Sequence, residues 1–179
     1  MFYVSNIFQS APQVFSSVLQ EKTYQTLAKL KIAFSRVETD EAITMEDCVI
    51  INQKLEMEMV KTLFLCNRQQ TKFYLFVTKG DKTFSSKDFS HALGIPRVSF
   101  APEVLMEEML GTKIGAATVF SALLDQDKQI KIVFDQAVLS QEWYGCSDGT
   151  TTGYMKVKTT QIIEDFLNDT NHQPLIIQV

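Results

Sequence analysis

Apolar positions Val14, Phe15, Val18, Leu19, Leu27 and Leu30 recur at helical spacing behind Pro12, a residue suited to a first helical turn. They predict one or two amphipathic helices over the first thirty residues. The period then shortens. Ile32 to Val37 alternates like a short strand, and Thr44, followed by the acidic Glu46 and Asp47, caps a helix expected over 44–52. Residues 59–66 (M-V-K-T-L-F-L-C) and 72–78 (K-F-Y-L-F-V-T) are β-prone runs joined by the polar turn N-R-Q-Q-T, the pattern of a hairpin.

Farther on, Ser85 or Ser86 caps a helix that closes near Leu93 and Gly94. Pro102 opens another that carries Val104, Leu105, Met109 and Leu110 up to Gly111. Ile130 to Phe134 is a strand, as are Trp143 to Cys146 and Tyr154 to Val157 around the turn G-C-S-D-G-T-T-T-G. Thr160 to Leu167 is a helix, and Leu175 to Val179 a final strand. Strands and helices are mixed without strict alternation, which predicts an α+β or α/β domain around a central mixed sheet rather than a doubly wound parallel one.

Composition narrows the class. A chain of 179 residues with 45% hydrophobic and 21% charged positions has the size and balance of one globular domain. It has no apolar run of the roughly 18 residues that a membrane span requires, and no basic-then-apolar signal at its start, so a cytoplasmic protein is expected. Cys48, Cys66 and Cys146 are too few and too widely spaced for a disulfide framework or a paired zinc site, and are expected as reduced thiols; no metal or cofactor is implied. The net charge is -4, but residues 1–100 carry 12 Lys/Arg against 10 Asp/Glu and residues 101–179 carry 5 against 11. That asymmetry permits a local contact with an RNA end and argues against wrapping of a long duplex such as DNA.

Chemistry is sparse. His91 and His172 both lie in polar settings and are expected at the surface. There is no G-x-S-x-G elbow for a serine triad, and neither glycine-rich phosphate loop occurs. Glu107 and Glu108 are adjacent on a helix and diverge. Two features stand out. Lys61 interrupts an apolar strand, where a cation must snorkel, pair or face a cleft. The stretch 111–120 (G-T-K-I-G-A-A-T-V-F) gathers small residues where backbone N–H groups can approach a ligand, though either feature also suits an ordinary surface.

Four segments in order carry a resemblance: Y-Q-T-L-A-K-L-K-I-A-F-S-R-V-E from Tyr24, T-M-E-D from Thr44, V-K-T-L-F-L-C-N-R-Q-Q-T-K-F-Y-L-F-V from Val60, and L-G-I-P-R-V-S-F-A-P-E-V-L-M-E-E-M-L-G from Leu93. Together they resemble the YbaK/ProX aminoacyl-tRNA editing family, in its ProX branch of prolyl-tRNA-associated deacylases. The resemblance implies an editing domain over 23–179, preceded by an N-terminal helical extension over 1–22. It implies a single α+β domain around a curved, barrel-like sheet with flanking helices. It also implies hydrolysis of mischarged tRNA, alanine on proline tRNA above all, at the 3′ acceptor end without metal or cofactor, and a contact with prolyl-tRNA synthetase. A non-catalytic tRNA-binding or regulatory member of the same family is the alternative.

By the same resemblance Lys61 is the family's site lysine. Ser99, Phe100, Gly115, Ala116, Ala117, Thr118 and Ser147 fall at substrate-binding positions. The chain departs from the family at two loops. Its G-T-K-I-G-A-A-T-V-F-S stands where relatives resemble G-V-T-P-G-S-V-T-P-F-G, and its G-C-S-D-G-T-T-T where they resemble G-F-H-P-N-T-N-T. Ser147 thus occupies the place of a histidine, and Thr151 that of an asparagine.

Overall fold

Local signals set most elements of the computed structural model, which describes residues 1–42 and 44–179. Helix α1 (Val18–Lys29) starts where the Ser17 hydroxyl accepts the Gln20 N–H, with Glu21 in its first turn and Lys29 in its last, as the helix dipole favours. Strand β1 (Ser35–Glu38) leads to helix α2 (Met45–Leu55), whose start is a reciprocal capping box between Thr44 and Asp47. The hairpin of β2 (Val60–Cys66) and β3 (Phe73–Lys79) forms as expected. Helix α3 (Ser86–Leu93) is capped by Ser85 and stopped by Gly94.

A two-residue strand β4 (Ser99–Phe100) follows, then helix α4 (Glu103–Leu105), which runs on as a π-helix, Met106–Leu110. Beyond the loop 111–118 lie a 3-10 helix (Val119–Leu124), β5 (Ile130–Asp135), the short α5 (Gln136–Leu139), and the hairpin of β6 (Trp143–Ser147) with β7 (Gly153–Lys158). A π-helix (Gln161–Phe166) continuing into α6 (Leu167–Asp169), and β8 (Leu175–Ile177), complete the chain.

The α+β class holds, with the strands divided between two sheets that do not close into a barrel. One sheet is antiparallel in the order β1-β7-β6; the other runs β4-β2-β3-β5-β8, antiparallel at β4-β2-β3 and parallel at β3-β5-β8. An isolated bridge from Met59 to Gly145 ties them. The period of two along each strand explains the split. Val60, Phe64 and Cys66 of β2 and Leu75 and Val77 of β3 face the main core shared with Tyr144, Cys146, Met155 and Val157 of the other sheet, and α1, the 3-10 helix and Phe166 close that core. The alternate residues Leu65, Tyr74 and Phe76 face outward and are covered by Phe89 of α3. On the far side of the smaller sheet, Val37 and Tyr154 pack against Ile51 and Leu55 of α2.

Two expectations are corrected. The segment before α1 is not helical: Val4 bridges to Thr39 and Phe8 to Arg36, so residues 3–8 lie along the outer edge of β1. Covering a free strand edge outweighs a helical stripe that has nothing to bury it, and Val14 and Val18 stay exposed. The Arg36 guanidinium lies 4.8 Å from the Phe8 ring centroid and donates through Nε to the Ser10 carbonyl, which fixes this arm. Helix α1 runs without a break through residues 22 and 23. The second correction is His172. It is buried, with Nε2 2.9 Å from Asp125 Oδ2 and Nδ1 2.9 Å from Thr170 Oγ1, and Asp125 also accepts the N–H groups of Gln129 and Ile130. A satisfied polar cluster pins β8's approach to β5, whereas His91 stays exposed on α3. Among the described residues no helix is long and apolar enough to cross a membrane.

Candidate active site

The two sheets meet at Met59 and Gly145 and then diverge, leaving a cleft of about 460 Å³ between β2 and the loop 111–118. Residues 59–64 form one wall. Phe100, Ala101, Glu103 and Met106, the loop residues Ile114, Gly115 and Ala117, and Cys146, Ser147 and Tyr154 complete the lining. Gly115 has φ of 88°, a left-handed turn that favours glycine, with nothing within 4 Å of where a Cβ would stand. The lining is largely apolar, and Glu103 is its one carboxylate.

Five of the eight residues singled out from the sequence thus line one cleft: Lys61, Phe100, Gly115, Ala117 and Ser147. The other three support it. Ser99 pairs with Cys66 through the backbone of β4. Ala116 turns to the opposite side of the loop, into a second, hydroxyl-rich cleft with Thr112 and Thr150. Thr118 is buried and caps the 3-10 helix by accepting the Phe120 N–H.

Lys61 is half-buried, and its Nζ donates to the carbonyl of Lys82. That carbonyl is itself fixed, because the Lys82 ammonium reaches Asp135 Oδ2 and the Val179 carbonyl, both at 2.8 Å. Asp135 is buried, which pushes its pKa up; bonds from Lys82, Thr78 and the Ala137 N–H together outweigh burial and hold it below the ordinary carboxylate value. Lys61 is therefore held at the cleft by a relay that ends in a stable ion pair.

The loop after β6 is set by a buried carboxylate. Asp148 accepts from Gln20 Nε2 and Tyr24 OH, both at 2.9 Å, on one oxygen, and from the Thr150 hydroxyl at 2.7 Å on the other. A Cβ on Gly153 would stand 2.3 Å from Asp148 Oδ2, so only glycine lets the carboxylate sit there. Ser147 closes the same turn: its hydroxyl donates to the Thr150 carbonyl at 2.6 Å and accepts the Gly149 N–H at 3.0 Å. Cys146 carries a thiol pushed well above its ordinary pKa by burial first and by Asp148 second, so it stays protonated and unreactive. Neither histidine lines the cleft. Lys61 and Glu103 are the charged side chains among the residues that line it.

Against this geometry, the sequence model of the aminoacyl-tRNA editing domain matches residues 39–164, which span most of the chain and include every residue that lines the cleft. The chain belongs to the aminoacyl-tRNA editing domain family. Prolyl-tRNA editing protein ProX of Acetoanaerobium sticklandii is 29% identical over 115 residues, 64% of this chain and 70% of that protein. Prolyl-tRNA synthetase associated domain-containing protein 1 of Danio rerio is 24% identical over 161 residues, 89% of this chain and 86% of that protein. The likeness to the ProX branch read from the four segments is borne out.

The fold agrees. The crystal structure of a candidate trans-editing enzyme for prolyl tRNA synthetase superposes with a TM-score of 0.64 at 15% identity, covering 92% of this chain and 99% of that one. A second, of a hypothetical protein, gives 0.68 at 18% identity over 87% and 98%. Sequence reasoning about the editing domain missed Thr62, Met106, Cys146 and Tyr154 as cleft residues. Apolar and hydroxyl side chains on regular elements carry no local mark of function, and only the divergence of two sheets brings them together.

Proposed function

We propose that the chain is a trans-editing deacylase that hydrolyses the ester of mischarged tRNA, with alanine on proline tRNA as its substrate. One observation carries this reading most: the cleft joins Lys61, the small-residue loop and the turn after β6 around a space lined by apolar groups. Water attacks the ester carbonyl carbon, the bond to the ribose oxygen breaks, and that oxygen leaves with a proton. The products are free amino acid and tRNA with its 3′ hydroxyl restored. Aminoacyl esters are labile, so oriented water and fixed dipoles suffice without a side-chain nucleophile.

The need for such a site follows from selectivity. A synthetase pocket shaped for proline discriminates against a smaller side chain by only about 1–3 kcal/mol per missing methylene, which leaves errors for a second, smaller cavity. Ala117 and Ile114 give the cleft an apolar wall suited to a short side chain, and the Lys61 ammonium suits a phosphate or carbonyl oxygen of the 3′ end. The same proposal includes cytoplasmic action and a contact with prolyl-tRNA synthetase. A second reading, tRNA binding without hydrolysis, draws on Lys61 and Ser147 both having their polar groups engaged within the protein.

Filling the cleft tests the assignment. Ala117→Leu adds bulk to its wall at a half-buried position. Release of alanine from alanine-charged proline tRNA is expected to fall to the rate in buffer, with thermal unfolding little changed. Native-like release by a folded Ala117→Leu would place the reaction elsewhere.

A further inference from the structure

Among the described residues, the outer edge of strand β2 is left unpaired at Thr62. In an antiparallel ladder the N–H and C=O of alternate residues point to the same side. The Asn67 N–H bonds the Lys72 carbonyl on the β3 side, whereas the Phe64 carbonyl accepts the Ala101 N–H at 2.9 Å on the other side. The backbone groups of Val60, Thr62 and Phe64 therefore face away from β3. Strand β4 covers this edge at Leu65 and Cys66, and the Met59–Gly145 bridge covers its beginning. Between those two points the N–H and C=O of Thr62 open on the cleft, whose wall Thr62 helps to form.

We propose that Thr62 grips the aminoacyl group through its main chain, as if one residue of a strand were added to β2. The α-ammonium donates to the Thr62 carbonyl, and the ester carbonyl accepts from the Thr62 N–H. This deepens the hydrolytic reading above and rests on it. It names the recognised class as an α-amino acid with a free amine and an esterified carboxyl. An extended aminoacyl group presents its donor and its acceptor on one side, as a residue in a ladder does, and only the antiparallel direction satisfies both bonds.

That direction also selects the side chain. Residues directly opposite in an antiparallel pair of L-residues place their Cβ atoms on the same face, about 4.5–5.5 Å apart. Thr62 shares its face with Val60, Phe64 and Cys66, which turn toward the main core. An L-aminoacyl side chain is thus aimed at the core-side wall, to which Cys146 and Ala117 belong. The Thr62 N–H has a second effect: it is a fixed dipole at the carbonyl oxygen on which negative charge develops as water attacks.

Two measurements test the proposal. Thr62→Pro removes the N–H, and a proline whose nitrogen faces away from the ladder is tolerated on an open edge. Loss of one such donor is expected to slow deacylation about a hundredfold. The second uses the native protein. Its Thr62 amide is followed by NMR on addition of 3′-(L-alanylamino)-3′-deoxyadenosine, a stable amide analogue of the charged 3′ end, and of its lactyl counterpart, which lacks the amine. The Thr62 amide is expected to shift most along β2, and the lactyl compound to bind at least about tenfold more weakly, or 1.4 kcal/mol. The proposal is overturned if a folded Thr62→Pro deacylates within threefold of the native rate. It is equally overturned if the alanyl analogue fails to bind, leaves the Thr62 amide unmoved, or binds no better than the lactyl compound. A shifted Thr62 amide in a protein that hydrolyses no aminoacyl-tRNA supports the grip and removes the hydrolytic reading alone.

Discussion

Replacing Asp148 by alanine is expected to lower the free energy of unfolding by about 2–4 kcal/mol, read from denaturant titration, and to slow deacylation beyond what the lost stability explains. The carboxylate is buried and gathers bonds from three residues on two segments: Gln20 and Tyr24 on α1, and Thr150 in the turn after β6. Its removal strands the Tyr24 hydroxyl and the Gln20 amide in the interior, each costing about 1–3 kcal/mol if no water replaces the partner. The Tyr24 hydroxyl is held far above its ordinary pKa by burial first and by Asp148 second, so it stays a neutral donor across the working range. Since Ser147 and Cys146 precede Asp148 and line the cleft, loosening the turn moves that wall. Asp148→Asn is expected to fall between the two, because an amide oxygen still accepts while its NH2 group cannot. A stability change below about 0.5 kcal/mol for Asp148→Ala would contradict this account of the turn.

Lys61→Ala is expected to reduce kcat/KM for alanine-charged proline tRNA about a hundredfold, equivalent to roughly 2.7 kcal/mol of transition-state binding. Stability should change by less than about 1 kcal/mol. Lys61 makes one bond, to a backbone carbonyl, from a half-buried position, and the Lys82–Asp135 pair persists without it. Lys61→Arg should recover only part of the loss, since a planar fork cannot take the place of a compact ammonium at the same distance from β2. Release unaffected by Lys61→Ala would show that the lysine is structural and that the assignment carried to it is wrong.

The features legible in the sequence are those decided within a few residues. The β2–β3 hairpin, the Thr44 and Ser85 caps and the Gly94 and Gly111 stops depend on local chemistry, and each forms where its residues predict. The order of strands was not legible. The parallel neighbours β3, β5 and β8 are distant in sequence, and apolar runs such as I-K-I-V-F-D pair equally well with many partners. Long-range polar contacts were hidden for the same reason: Asp148 meets Gln20 across 128 positions and His172 meets Asp125 across 47. His172 looked like a surface residue because its turn is polar, yet its partners arrive from another part of the chain. The N-terminal arm misled in the opposite sense, since Val14 keeps the helical spacing yet stays exposed in a segment that is not helical.

The candidate site divides along the same line. Lys61 is conspicuous because a cation breaks an apolar strand, and Gly115 and Ala117 because small residues cluster. Thr62 is inconspicuous, since its distinction lies in which way its backbone points and in what fails to cover it. That depends on where β4 ends and where the second sheet joins.

The most direct test is the single-turnover release of amino acid from proline tRNA charged with alanine, with cysteine and with proline, each measured against the rate in buffer. Strong acceleration is expected with alanine, weaker acceleration with the bulkier cysteine, and none with proline, whose ring adds bulk toward the core-side wall and whose secondary amine carries one hydrogen fewer for the Thr62 carbonyl. Release of proline as fast as alanine, or no acceleration with any of the three, would contradict it.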